Sequence, residues 1–329
     1  MKIISKFTLI LLAAVTFSAC NDDTETPTPM TTTTEMNIVE SAIAKSNLSS
    51  LVAALKAADG NLVDVLNGPG PFTVLAPTNE AFASFLSKNG FANLEAVPTD
   101  VLSQILLNHV ISGEVKASDL TSSGAGYATT NATGPNGTKL SIYFNTTGGV
   151  MFNGMSTVSE ADLMASNGII HVVDAVIGLP TIVDFAIANP ALSNLVAALQ
   201  FADSSNMPSP NLVNTLSGTD LYTVFAPTDN AFASLLMELD SSGETTLFDL
   251  SGSLVTTVLT NHVVSGNVRS SNLSSGTVTT LGGSVELDAT KFMITDQNMR
   301  NINIITSLVD IQAINGVVHA IDKVILPKQ

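Results

Sequence analysis

The chain is 329 residues long, 45% hydrophobic and only 12% charged, and its 28 acids against 12 bases leave a formal net charge of −16. That length suits about two domains with real cores, excludes a disordered chain, and supplies too few bases to track phosphates, so nucleic acid is not an expected partner. One cysteine, four histidines and no tryptophan exclude a disulfide framework and a thiolate metal cluster, and leave little material for a histidine-built catalytic centre.

Lys2 and Lys6 precede an apolar run from Phe7 to Phe17, then small residues, which is the pattern of a secretory signal too short to span a bilayer. Phe17-Ser18-Ala19-Cys20 resembles a bacterial lipobox, with Phe17 where leucine is preferred. The resemblance implies that residues 1–19 are a signal peptide and that Cys20 carries lipid; an ordinary signal or a spare thiol is the plainer alternative. Residues 20–36 include Thr26-Pro27-Thr28-Pro29 and Thr31 to Thr34, without apolar periodicity, and read as an extended tether. Asp22, Asp23 and Glu25 resemble the export signal of surface lipoproteins of Bacteroidetes-type bacteria, and equally suit a solvated linker. The expected location is the bacterial outer membrane, lipid-anchored and surface-exposed, with the N-terminal lipid as the sole membrane contact.

From Asn37 onward the elements come twice. Leu48, Leu51, Val52 and Leu55 fall at helical spacing, and Phe72 to Leu75 reads as a strand stopped by Pro77. Thr78 can cap the helix carrying Ala81, Phe82 and Phe85. Pro98 and Thr99 start another helix with Val101, Leu102, Ile105, Leu106 and His109 on it. Leu140 to Phe144 alternates as a strand, and Asn167-Gly168 signals a hairpin before Ile169 to Val173. Each signal recurs about 150 residues later, a period of whole domains rather than solenoid units: Leu192 to Leu199, Val224 to Ser234, Asn261-His262-Val263, and Asn315-Gly316 with His319 and Asp322. Length differences fall in loop-forming stretches: Met207 to Pro210, Asp240 to Gly243, and Gly124 to Gly137. Helices first and strands later predict an α+β fold in each of two copies, residues 37–180 and 181–329, each expected to fold alone.

The run Val-Leu/Phe-Ala-Pro-Thr-Asn/Asp-x-Ala-Phe, then Asn-His-Val, then Asn-Gly followed by His and Asp, resembles the fasciclin domain, twice over. The resemblance implies a β-sandwich or wedge flanked by helices in each copy. It also implies extracellular adhesion without catalysis or cofactor: binding of matrix-like protein or polysaccharide, or homotypic contact. Animal members often carry Tyr-His where this chain has Asn108-His109 and Asn261-His262, and that motif is credited with integrin contact. Integrin binding is therefore not carried over.

The four histidines occupy equivalent places, His109 with His262 and His171 with His319. One reading pairs His171 with Asp174, and His319 with Asp322, as metal or acid/base sites. On a strand, residues three apart point to opposite faces, which disfavours a shared ion. The other readings are hydrogen-bonded framework histidines or ligand contacts. Nucleophile, zinc-protease, phosphate-loop and dinucleotide motifs are absent, so no enzyme is expected. An adhesin is favoured over a glycan-capture lipoprotein of a polysaccharide-uptake system, which would need exposed aromatic platforms from only Tyr127, Tyr143 and Tyr222.

Overall fold

Asn37 and Thr181 open the two copies in the same way. Each side chain accepts from the backbone N–H three residues on, and the acids there, Glu40 and Asp184, reach back to the cap's own N–H. Such a reciprocal box satisfies two of the donors a helix start leaves orphaned. The computed structural model describes Glu35–Ser205 and Asn211–Lys328. The signal, Cys20 and most of the tether, and the loop expected at Met207 to Pro210, lie outside the described residues.

In the first copy, helices α1 (Ile38–Ala44), α2 (Ser49–Ala57) and α3 (Leu62–Asn67) lead into strand β1 (Phe72–Pro77). Helices α4 (Asn79–Lys88) and α5 (Thr99–Asn108), strand β2 (Val110–Ser112) and helix α6 (Ala117–Ser123) follow. Strands β3 (Ala125–Thr133), β4 (Lys139–Asn145), β5 (Met151–Phe152), β6 (Ser156–Ala165) and β7 (Gly168–Val173) complete it. The second copy repeats the order with α7 (Ile182–Ala188), α8 (Ser193–Ser205), α9 (Leu212–Ser217), β8 (Tyr222–Pro227), α10 (Asp229–Leu239), α11 (Gly252–Thr260) and β9 (Val263–Ser265). It ends in β10 (Gly276–Thr279), β11 (Ser284–Asp288), β12 (Met293–Thr295), β13 (Asn301–Asn303), β14 (Ile311–Ala313) and β15 (Gly316–Ile321). The fold is α+β, as expected. Thr78 and Thr228 cap α4 and α10, accepting from Ala81 at 3.2 Å and Ala231 at 3.4 Å.

In the first copy the seven strands close into a ring in chain order. The closure is a parallel pairing of β1 with β7, while the other pairings are antiparallel. The second copy divides its strands into two four-stranded sheets and keeps the parallel pair, β8 with β15, in one of them. That pairing explains the glycines of the two Asn-Gly turns. A Cβ on Gly168 would lie 1.9 Å from the carbonyl oxygen of Phe72, and one on Gly316 would lie 2.0 Å from that of Tyr222. Only glycine admits so close a backbone approach.

Each copy has two cores, because β1 and β8 are buried on both faces. Val74 and Ala76 join the core under the helices, whereas Leu75 joins Ile142, Phe144, Phe152 and Val173 inside the ring. Phe225 likewise belongs with Leu287, Ile294, Ile302 and Ile321. Two stretches differ from expectation. Gly124 to Gly137, rich in turn residues, is mostly strand β3, because its backbone pairs with β4 from Ala125 through Thr133. The alternation of Leu140 to Phe144 puts Ser141 and Tyr143 on the outer face, yet both are buried. The second copy covers that face.

Candidate functional site

His109 terminates α5, and its ring faces inward. Nδ1 donates to the Ile105 carbonyl at 2.8 Å, and Nε2 accepts the backbone N–H of Ile177 at 2.9 Å. His262 does the same with Val258 and Ile325, at 2.8 and 2.9 Å. Burial pushes both rings from the ordinary 6.5 down to about 4, against the opposing pull of the accepting carbonyls. Each ring ties the helical half of its copy to the segment that follows the last strand.

His171 and His319 use the opposite tautomer. Their Nδ1 atoms accept from the backbone of Asp162 and Asp310, both at 3.2 Å, and their Nε2 atoms donate to the carbonyls of Val115 and Val268. Burial lowers the His319 pKa, opposed by the Val268 carbonyl and the Asp310 charge.

Asp174 and Asp322 are not brought to these rings. Asp174 accepts from the Thr157 backbone at 2.7 Å, and Asp322 holds both the backbone and the side-chain amide of Asn303. They clasp neighbouring strands, as opposite-facing positions on a strand require. The acids beside the rings are Asp162 and Asp310, both at positive φ. In each copy the acid stands nine residues before its histidine. That shared spacing was the available signal.

Asn108 and Asn261 are fully buried, so neither presents a contact surface. Asn108 donates to the Gly178 carbonyl at 2.9 Å and accepts from the Thr130 hydroxyl at 3.1 Å, joining α5 to β3. Asn261 instead turns back to the Thr257 carbonyl at 2.8 Å. Its Oδ1 and the hydroxyl of Thr280 are then buried without a partner among the described residues. Among the described residues no three of His, Cys, Asp and Glu are grouped to hold a metal ion.

Asn167 and Asn315, evident in the sequence only as turn residues, are buried hubs. Asn167 accepts from Ile38 at the start of α1 and donates to the carbonyls of Leu66 and Gly68 beyond α3. Asn315 does the same with Ile182, Leu216 and Gly218.

Two of the three tyrosines, Tyr127 and Tyr143, lie between the copies rather than on an open face. Tyr127 sits 5.1 Å from Tyr143 and meets Phe185 edge-on at 5.6 Å, while Asn189 donates to its hydroxyl at 3.2 Å. Tyr143 belongs to the core of the second copy, and Ser141 accepts from the backbone of Gln312 at 2.9 Å. Burial raises the Tyr127 pKa, so the ring stays a neutral part of the joint.

The fasciclin-domain profile matches residues 46–180 and 190–327. Protein sll1483 of Synechocystis is 41% identical over 146 residues, 44% of this chain and 75% of that protein. The pig transforming growth factor-beta-induced protein ig-h3 is 26% identical over 271 residues, covering 80% of this chain but only 35% of its own length. Among solved structures, the FAS1 domain pair of the insect cell adhesion molecule Fasciclin I aligns over 85% of this chain and 97% of its own, with a TM-score of 0.49 and 21% identity. With both copies matched in order over most of its length, the chain belongs to the fasciclin-domain family as a tandem of two domains.

Proposed function

We propose that the protein is a cell-surface adhesin that engages extracellular protein or polysaccharide through its tandem fasciclin domains, without catalysis. Fasciclin domains occur in adhesion and binding proteins. The observation that carries the reading here is the commitment of the histidines. All eight ring nitrogens hold backbone groups, so the chemistry-bearing side chains serve as framework and recognition falls to the outer surfaces. The strongly acidic balance favours basic or neutral partners over anionic ones. The glycan-capture alternative is weakened, because Tyr127 and Tyr143 are occupied in the joint between domains and offer no platform for a sugar ring.

The anchoring half of the proposal rests on Cys20. Lipid on its thiol would hold the domains at the outer membrane, since paired acyl chains bind far more stably than a single chain. Mass spectrometry of the mature N-terminus is expected to find cleavage after Ala19 and a diacylglyceryl group on Cys20. Cys20→Ala should release the protein from the membrane fraction. An unmodified Cys20, or cleavage elsewhere, would overturn the lipid anchor and leave a freely secreted adhesin.

A further inference from the structure

In the second domain, α8, α10, α11 and the C-terminal segment line an apolar pocket of about 170 Å³ that opens to solvent on one side. Phe232, Val255 and Leu259 are its buried lining, while Leu239, Leu254 and Lys328 line it from exposed positions. The first domain has the same helices but covers the corresponding core differently. There, Phe85 and Phe91 stack with centroids 6.4 Å apart and pack against the core that holds Phe82, Leu102 and Leu106. Position 85 becomes Leu235 in the second domain, and Phe91 has no apolar counterpart in the polar turn from Asp240 to Thr246. The space that one domain closes with its own rings is left open in the other.

The size is that of a ring. A dry apolar cavity of about 150 Å³ accepts benzene. Lys328 adds a charge preference. It forms no ion pair among the described residues, and its backbone is held beside the cavity by Gln297, which accepts from it at 2.9 Å. A lysine that lines an apolar pocket and has no ion pair among the described residues favours a ligand with an apolar body and a negative end.

The geometry points to a binding site for a small aromatic carboxylate, with its ring in the cavity and its carboxylate on Lys328. The site is independent of the adhesion reading, because it would stand whether or not the outer surfaces bind a macromolecule.

Calorimetric titration of the full-length protein with 3-phenylpropionate tests it. Saturable one-to-one binding is expected, about fivefold or more tighter than 3-phenylpropan-1-ol or octanoate. Leu235→Phe, which restores the ring of the first domain, should weaken binding at least about tenfold without lowering the melting temperature. Should that variant fail to fold, Leu239→Phe closes the cavity from a half-exposed position and is expected to weaken binding likewise. Lys328→Gln should erase the preference for the acid over the alcohol. Absence of saturable binding, undiminished affinity in a folded ring-filled variant, or tighter binding of octanoate or the alcohol would overturn the assignment.

Discussion

Ile177 and Ile325 donate their backbone N–H groups to the Nε2 atoms of His109 and His262, and each bond needs the lone pair that protonation would consume. A ring held at about 4 in the folded chain, against 6.5 in the ordinary state, takes up its proton first on unfolding. Between those values the unfolded chain binds more protons, so stability falls as pH falls and is recovered as pH rises. Each ring contributes about 3 kcal/mol to that loss when pH drops from 7 to 4. Urea melts at pH 7 and pH 4.5 should show a large fall in midpoint for the wild type. The fall should be smaller for a variant carrying His109→Gln and His262→Gln, which starts less stable at pH 7. A midpoint that does not change with pH in the wild type would mean that the two rings are not neutral, buried framework.

At the scale of elements, the two domains join helix to strand unequally. Asn108 links α5 to Thr130 on β3, whereas the equivalent Asn261 and Thr280 leave two buried atoms unpaired. In the second domain Gly282 packs so close to Asn261 that a Cβ there would meet its Nδ2 at 2.6 Å. Thr130→Val should cost about 1 kcal/mol, because it orphans the buried Asn108 oxygen, while Thr280→Val removes a hydroxyl that already lacks a partner and should cost nothing or stabilise. Thermal melts of the two variants check this, and equal losses would contradict it. The same contrast marks what the sequence made legible. Helix caps such as Thr78, the Asn-Gly turns and the helical spacing around Leu102 are local, and they read correctly. The hub role of Asn167 was not legible, since its partners lie 129 and 101 residues away and leave no local pattern. Gly124 to Gly137 misread for a related reason: turn-forming composition was overridden by pairing with β4. The true neighbours of His171 and His319 were available only by comparing the copies for a shared acid at fixed spacing.

At the scale of the molecule, both domains fall in one compact unit, Glu35–Gln329, and Tyr143 of the first domain is packed in the core of the second. Independent folding of residues 37–180 and 181–329 must therefore contend with an aromatic joint that neither fragment would keep. Tyr143→Ala should cost about 3 kcal/mol or more, the loss typical of a buried aromatic. It should also split the calorimetric transition or broaden it. A single, unshifted transition would show that the joint carries no stability. A joined pair also presents its outer surfaces at fixed spacing, and two sites held together gain effective concentration that a lone domain lacks. The central claim is that this acidic tandem binds a macromolecular surface without cofactor or turnover. Beads coated with the purified protein, flowed over immobilised matrix proteins, neutral polysaccharides, heparin and the protein itself, test it most directly. Saturable retention on a protein, a neutral polysaccharide or the self-coated surface, without added metal or cofactor, is the predicted result, and retention confined to heparin or absent from every surface would contradict it.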